Sequence, residues 1–203
     1  MKLCGYQSPT PIQCYALPAA LQGNDVFGIA QAGSGKTGAY MIPILSKLAG
    51  KCLKLAAQRP GIGMPIDARC RSEPLVLILA PTRELVNQIF DHARRLCYRT
   101  MLRPCVAYGG GPVSLQREEL QKGCDVLIAS VGRLKDFAER TELLSLQRLR
   151  FVCLNNLPLF NISINCNSDT LFLMRRMNSC RMTGAKTCLQ SSKLLGSVLI
   201  CKP

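Results

Sequence analysis

The stretch Ala30-Gln31-Ala32-Gly33-Ser34-Gly35-Lys36-Thr37 decides how this chain is read. Before it, Val26-Phe27-Gly28-Ile29-Ala30 is a short apolar run of the kind a buried strand makes. After it, a helical pattern runs from Lys36 to about Leu48. A glycine-rich turn between strand and helix, closed by Gly-Lys-Thr, is the context a phosphate-binding loop requires. Small residues let backbone N–H groups approach phosphate oxygens, and the helix N-terminus adds positive potential. In such a loop Lys36 reaches the β- and γ-phosphates of a nucleoside triphosphate, and the Thr37 hydroxyl ligates Mg²⁺. The usual pattern begins on Gly where this chain has Ala30. An ordinary strand-to-helix turn would have no need of the Lys-Thr pair.

Working outward, the alternation of strand and helix continues to residue 154. A helical pattern from about Pro11 to Leu21 ends at Gly23. Residues 51–73 are rich in Pro, Gly and Arg without a period and read as a loop insertion. Leu75 to Ala80 reads as a strand, followed by a helix from about Thr82 to Tyr98. Arg103 to Tyr108 is strand-like and runs into Gly109-Gly110-Gly111. A helix near Val113–Gln121, a strand from Asp125 to Ala129, a short helix near Gly132 and a strand from Leu149 to Leu154 complete the series. This order predicts an α/β fold: a mostly parallel sheet with helices on both faces. Continuously apolar strands fit such double coverage.

The chain has 203 residues, enough to bury a sizeable core. Its 48% apolar and 19% charged residues exclude disorder of the chain as a whole. Apolar runs such as Leu75-Val76-Leu77-Ile78-Leu79-Ala80 fall far short of the ~18 residues that span a bilayer. The first ten residues lack the apolar segment of a secretory signal, so none is expected. A membrane protein, a coiled coil and a collagen-like chain are excluded, and no membrane partner is expected. Lysine and arginine number 26 against 12 acidic residues, a net charge of +14. That excess points to a polyanion partner, nucleic acid first. Twelve cysteines accompany a single histidine, His92, and no two cysteines stand in C-x-x-C spacing. A zinc cage needs clustered ligands, so free thiols in a reducing compartment, cytoplasmic or nuclear, are expected.

Gln13 lies in Gly5-Tyr6-Gln7-Ser8-Pro9-Thr10-Pro11-Ile12-Gln13, ahead of the phosphate loop. A carboxamide can donate and accept toward N6 and N7 of adenine together. Guanine presents the wrong pattern, so Gln13 would select ATP. On its own, a glutamine here is only a polar residue at a helix start.

Taken together these segments resemble the DEAD-box RNA helicases, most closely the Vasa-like branch. Residues 5–13 resemble that family's Q motif and residues 30–37 its motif I, where a leading Ala is normal. Pro81-Thr82-Arg83-Glu84-Leu85 resembles motif Ia, Gly109-Gly110 the GG element, and Ser130-Val131-Gly132-Arg133 a variant of Thr-Pro-Gly-Arg. The resemblance implies a RecA-like P-loop domain, ATP and Mg²⁺ as ligands, and ATP-dependent RNA unwinding. It implies that Tyr6 stacks on adenine while Thr10 and Gln13 bind its edge. It gives the triphosphate to Gly33, Ser34, Gly35, Lys36 and Thr37. It gives the RNA backbone to Arg83, Gly110, Gly132 and Arg133. Backbone contacts position a strand without reading its sequence. A P-loop ATPase unrelated to RNA would have no use for the Pro-Thr-Arg-Glu-Leu and Gly-Gly segments. Val131 stands where the family's proline would fix the turn.

The chain departs from the family after Leu154. The strand Phe151-Val152-Cys153-Leu154 should run into Asp-Glu-Ala-Asp, and here it runs into Asn155-Asn156. Asn carries no charge to hold Mg²⁺ through water or to polarise an attacking water, so no catalytic residue is assigned. Residues 155–203 show no persistent period, and Asp169 is their only acid. They are expected to be a non-native or disordered tail behind an incomplete domain spanning 1–154. Residues Met174 to Thr183 can be encoded so that a one-base shift reads Asp-Glu-Ala-Asp-Glu-Leu-Leu-Gln-Asp-Asp. A frame lost before the acidic motif, truncating the helicase and its second RecA-like domain, is the expectation that follows. Two functions are thus expected: ATP-dependent RNA helicase by family, or an inactive ATP- and RNA-binding fragment.

Overall fold

The computed structural model describes residues 4–55, 71–156, 169–176 and 198–201. Its helices are α1 (Pro11–Gln22), α2 (Lys36–Ala49), α3 (Cys52–Leu55), α4 (Arg83–Cys97), α5 (Val113–Gln121) and α6 (Val131–Ala138). Its strands are β1 (Asp25–Gln31), β2 (Val76–Ala80), β3 (Pro104–Ala107), β4 (Val126–Ser130), β5 (Phe151–Asn155), β6 (Asp169–Arg176) and β7 (Val198–Cys201). Up to residue 155 each element expected from the sequence is present, with ends shifted by a residue or two. The short α3 lies inside the segment read as a loop, and residues 56–70 of that segment lie outside those described.

The local signals account for the element ends. Helix α1 stops at Gly23, whose φ of 102° suits the left-handed cap that only glycine adopts freely. Thr82 caps α4 by accepting from the Leu85 N–H at 3.3 Å. Val131 occupies the first helical position of α6, where proline is favoured; the helix forms there without it.

The strands form one sheet in the order β3-β4-β2-β5-β6-β1-β7. The β3/β4, β4/β2, β2/β5 and β1/β7 pairs are parallel. Strand β6 is antiparallel to both neighbours, with Leu154 opposite Leu173 and Ala30 opposite Thr170. The mostly parallel α/β sheet is the expected fold class. The expectation of a disordered tail over 155–203 does not apply to β6 and β7, which join the sheet. Strand β6 carries the apolar stretch Leu171-Phe172-Leu173-Met174 between polar ends, β7 is Val-Leu-Ile-Cys, and neither contains Gly or Pro. Strand β6 meets the open backbone donors and acceptors of β5 and β1, and β7 those on the outer side of β1. Asn155 ends β5 and Asn156 follows it; the remaining residues of that tail lie outside the described residues.

Side chains alternate across the sheet. Val76, Ile78, Ala80, Val126, Ile128 and Cys153 face one core with α1, α2 and α4. Leu77, Leu79, Leu127, Ala129 and Val152 face another with α5 and α6. Burial on both faces is why β2 and β4 are apolar at nearly every position. Each fully buried Leu or Ile contributes ~1.5–3 kcal/mol. Met174 of β6, 2% exposed, belongs to the first of these cores. Among the described residues no helix is long and apolar enough to cross a membrane.

Parallel strands end on the same edge of a sheet. The carboxyl ends of β1 to β5 therefore bring residues 31–37, 81–83, 108–111, 130–133 and 155–156 to one rim, where α/β sheets bind their ligands.

Candidate functional site

The loop between β1 and α2 has the backbone of an anion cradle. Gly33 and Gly35 take φ of 80° and 88°, in the left-handed region. The Ser34 N–H donates to the Gln31 carbonyl at 3.3 Å, closing the turn, and Gly35 caps α2. Lys36 is only 9% exposed. Its ammonium folds across the loop, donating to the Ala30 carbonyl at 2.7 Å and to the Gln31 carbonyl. The Ser34 hydroxyl is buried with no hydrogen-bond partner.

The segment ahead of α1 packs onto this loop. Gln13 is 2% exposed. Its Oε1 accepts from the Thr10 N–H at 3.2 Å and its Nε2 donates to the Gly35 carbonyl at 3.0 Å. Those bonds leave one amide hydrogen and one lone pair for a purine edge. A Cβ on Gly35 would lie 2.7 Å from Gln13 Nε2 and 2.9 Å from Thr10 Oγ1. One on Gly38 would lie 2.8 Å from Gln13 Nε2 and 3.1 Å from the Tyr6 hydroxyl. Thr10 Oγ1 is buried and unpartnered. Burial, with Cys4 nearby, pushes the Tyr6 phenol above its ordinary range against the opposing pull of Arg95. The fold thus brings Tyr6, Thr10 and Gln13 against the start of α2, as their assignment to one ligand requires.

Asn155 ends β5 beside the same helix, 4% exposed. Its Nδ2 donates to the Tyr40 hydroxyl at 3.5 Å. Burial first, and then Cys153, push the Tyr40 phenol far above its ordinary range, so it stays a neutral hydroxyl. The Thr37 side chain also hydrogen-bonds Tyr40. Tyr40 therefore links Thr37 to the end of β5. Asn155 Oδ1 and Asn156 Oδ1 are buried without partners. Asn156 takes a φ of 53°, which asparagine tolerates better than most residues.

Four of the five buried side-chain oxygens without a partner among the described residues belong to Thr10, Ser34, Asn155 and Asn156, around this loop; the fifth is that of Ser72. Such groups call for a partner from outside the chain. The donors and hydroxyls fit a purine and a triphosphate. For Mg²⁺, the described side chains that meet beside Thr37, those of Tyr40 and Asn155, offer neutral oxygens, and a hard cation prefers carboxylates.

The second cluster lies farther along the rim. Exposed Arg83 holds its guanidinium 4.9 Å from the centre of the Tyr108 ring, a stabilising cation–π contact. A Cβ on Gly110, whose φ is 76°, would lie 3.9 Å from Arg83 Nη1. Gly132 is exposed in open space at the start of α6. Arg133 is 9% exposed, unlike the other three. Its Nη1 donates to Gln116 Oε1 at 3.4 Å, its Nε pairs with Asp136 at 3.7 Å, and the group lies 5.5 Å from the Phe137 ring centre. Gln116 was not among the residues singled out from the sequence. The signal was present: a lone glutamine on the α5 face that buries Leu120.

A family model described as "DEAD/DEAH box helicase" matches residues 10–164. The rice protein "DEAD-box ATP-dependent RNA helicase 52A" (Oryza sativa subsp. japonica) is 38% identical over 192 residues, 93% of this chain. A solved structure titled "Crystal structure of hypothetical ATP-dependent RNA helicase from Sulfolobus tokodaii" superposes with a TM-score of 0.53 at 29% identity over 68% of this chain. The chain spans 31% of the rice protein and 34% of the Sulfolobus chain.

Proposed function

Because this chain belongs to the DEAD/DEAH box helicase family, we propose that its rim binds ATP at the loop 30–37 and the RNA backbone at the cluster around Arg83. Tyr6, Thr10 and Gln13 hold the adenine. Gly33, Ser34, Gly35 and Lys36 hold the phosphates, with the Lys36 ammonium leaving its carbonyls for them. Thr37 is the residue that would hold Mg²⁺, which when bound polarises the terminal phosphate. Arg83, Gly110, Gly132 and Arg133 hold the RNA backbone. The observation that carries the ATP assignment is the Gln13–Gly35 hydrogen bond, which joins an adenine-selective amide to the phosphate loop across 22 residues of sequence.

One observation favours binding without turnover. The end of β5, beside Thr37 and Tyr40, carries Asn155 and Asn156 and no carboxylate. A positioned general base is worth about 10²–10⁴ in rate, and an amide supplies none. On this reading the chain is an ATP- and RNA-binding unit of the helicase family rather than an unwinding enzyme. The test is to measure ATP binding and phosphate release on the full chain, with and without RNA. ATP binding without RNA-stimulated turnover is expected. RNA-stimulated hydrolysis at an ordinary enzymatic rate refutes the inactive reading, and absence of ATP binding refutes the site.

A further inference from the structure

Gln116 touches three things at once. Its Oε1 accepts from the Tyr108 N–H at 3.1 Å, and its Nε2 donates back to the Tyr108 carbonyl at 3.1 Å. The carboxamide thus pairs with Tyr108 as a neighbouring strand would. The same Oε1 accepts from Arg133 Nη1 at 3.4 Å. The turn after Tyr108 closes tightly on this amide: a Cβ on Gly111 would lie 2.8 Å from Gln116 Nε2. The ring of Tyr108 in turn carries Arg83. One buried side chain on α5 therefore joins the loop after β3 to α6, and through Tyr108 to the first turn of α4. The burial itself does not call for a glutamine. Leu120, four residues on and fully buried, shows what that face of α5 uses when it only has to pack.

We propose that Gln116 is a positioning residue of the RNA-binding rim, one that sets Arg83, Gly110 and Arg133 in a single frame along one phosphate backbone. The inference rests on the RNA reading above and adds to it a residue that touches no RNA. Its amide holds Tyr108 at both backbone groups and ties the Arg133 guanidinium to the loop that carries Gly110. Without it, Arg83 loses its ring support and Arg133 its link to α5.

The test compares the unaltered full chain with Gln116→Met and Gln116→Glu. Methionine keeps the volume and burial but makes none of the three hydrogen bonds. Glutamate keeps the acceptor for the Tyr108 N–H and Arg133 but loses the donor. Binding of a short uridine oligonucleotide is followed over a range of salt concentrations, and binding of a fluorescent ATP analogue is measured beside it. Gln116→Met should bind RNA about tenfold more weakly, with Gln116→Glu between it and the unaltered chain. The salt slope should fall by about 0.7 for each phosphate that the rim no longer neutralises, with affinity for the ATP analogue unchanged. RNA binding by Gln116→Met equal to that of the unaltered chain overturns the inference and leaves the RNA reading standing. Equal losses for RNA and the ATP analogue overturn it as well, since they report unfolding of the rim. If the unaltered chain binds no oligonucleotide, the RNA reading fails and the inference with it.

Discussion

Replacing Gly35 by alanine probes the packing of the Gln13 segment on the phosphate loop, and Gly33→Ala is its matched control. Gly33 and Gly35 both hold positive φ, 80° and 88°. Placing an L-residue there costs about 1–2 kcal/mol at either site. The surroundings differ. A Cβ on Gly33 meets nothing within 4 Å, whereas one on Gly35 meets Gln13 Nε2 at 2.7 Å and Thr10 Oγ1 at 2.9 Å. The amide must move, and its 3.0 Å bond to the Gly35 carbonyl is broken at a buried position. Breaking a hydrogen bond so that a buried group is stranded costs ~1–3 kcal/mol. Gly35→Ala should therefore destabilise the chain by roughly 3 kcal/mol and Gly33→Ala by roughly 1.5 kcal/mol. Urea unfolding reads the difference. Adding Gln13→Ala to Gly35→Ala removes the colliding group, so the double variant should fall short of the summed single losses by about 1 kcal/mol. Equal losses for the two glycine variants, together with strict additivity in the double variant, would refute the close packing of the two segments.

Asn155→Asp introduces a carboxylate at a position 4% exposed; without a counter-charge that should cost several kcal/mol. Thermal melting should show the variant weakened in metal-free buffer and recovered by Mg²⁺ with ATP, and an indifference to Mg²⁺ would contradict the placement beside Thr37. Met174→Ala, in the core against β5 and β1, should cost ~2–5 kcal/mol by urea unfolding. A change within the noise would mean that β6 does not hold the centre of the sheet. The Glu119 carboxyl is held below its ordinary 4.5, first by Lys122 and also by Arg103, against the opposing effect of burial. Its contribution to stability is present above pH 4.5 and lost as the pH falls through the lowered value. Glu119→Gln should lower the melting temperature at neutral pH, and the gap should close in acid. A gap that widens in acid would contradict the assignment.

Local chemistry made much of this protein legible in one dimension. The apolar strands, the glycine at the end of α1, the threonine ahead of α4 and the Gly-Ser-Gly-Lys-Thr turn each carry their structure in neighbouring residues. Period and capping act over a few positions, and a parallel α/β sheet follows from their order. The grouping of Lys36, Arg83, Gly110 and Gly132 on one rim was also readable, because loops that follow parallel strands share an edge.

Pairings between distant segments were a different matter. Nothing near residue 116 in sequence says that its amide will meet Tyr108 and Arg133; that depends on how α5 and α6 lie against β3 and β4. The resemblance gives Arg133 to the RNA backbone, but nothing in the sequence shows that α6 turns it inward between Gln116 and Phe137. Residues 169–176 carry no turn or period signal of their own. They pair because β5 and β1 stand apart with open backbone edges, and unmet backbone hydrogen bonds between two strands are met by an extended segment that can reach both. The sequence by itself determined the elements through β5 other than the short α3, their order and the phosphate loop, since these depend on short-range sterics and burial. Only the tertiary structure decided which polar groups meet, because a hydrogen bond between residues far apart in the chain exists only once the sheet has brought them within about 3 Å.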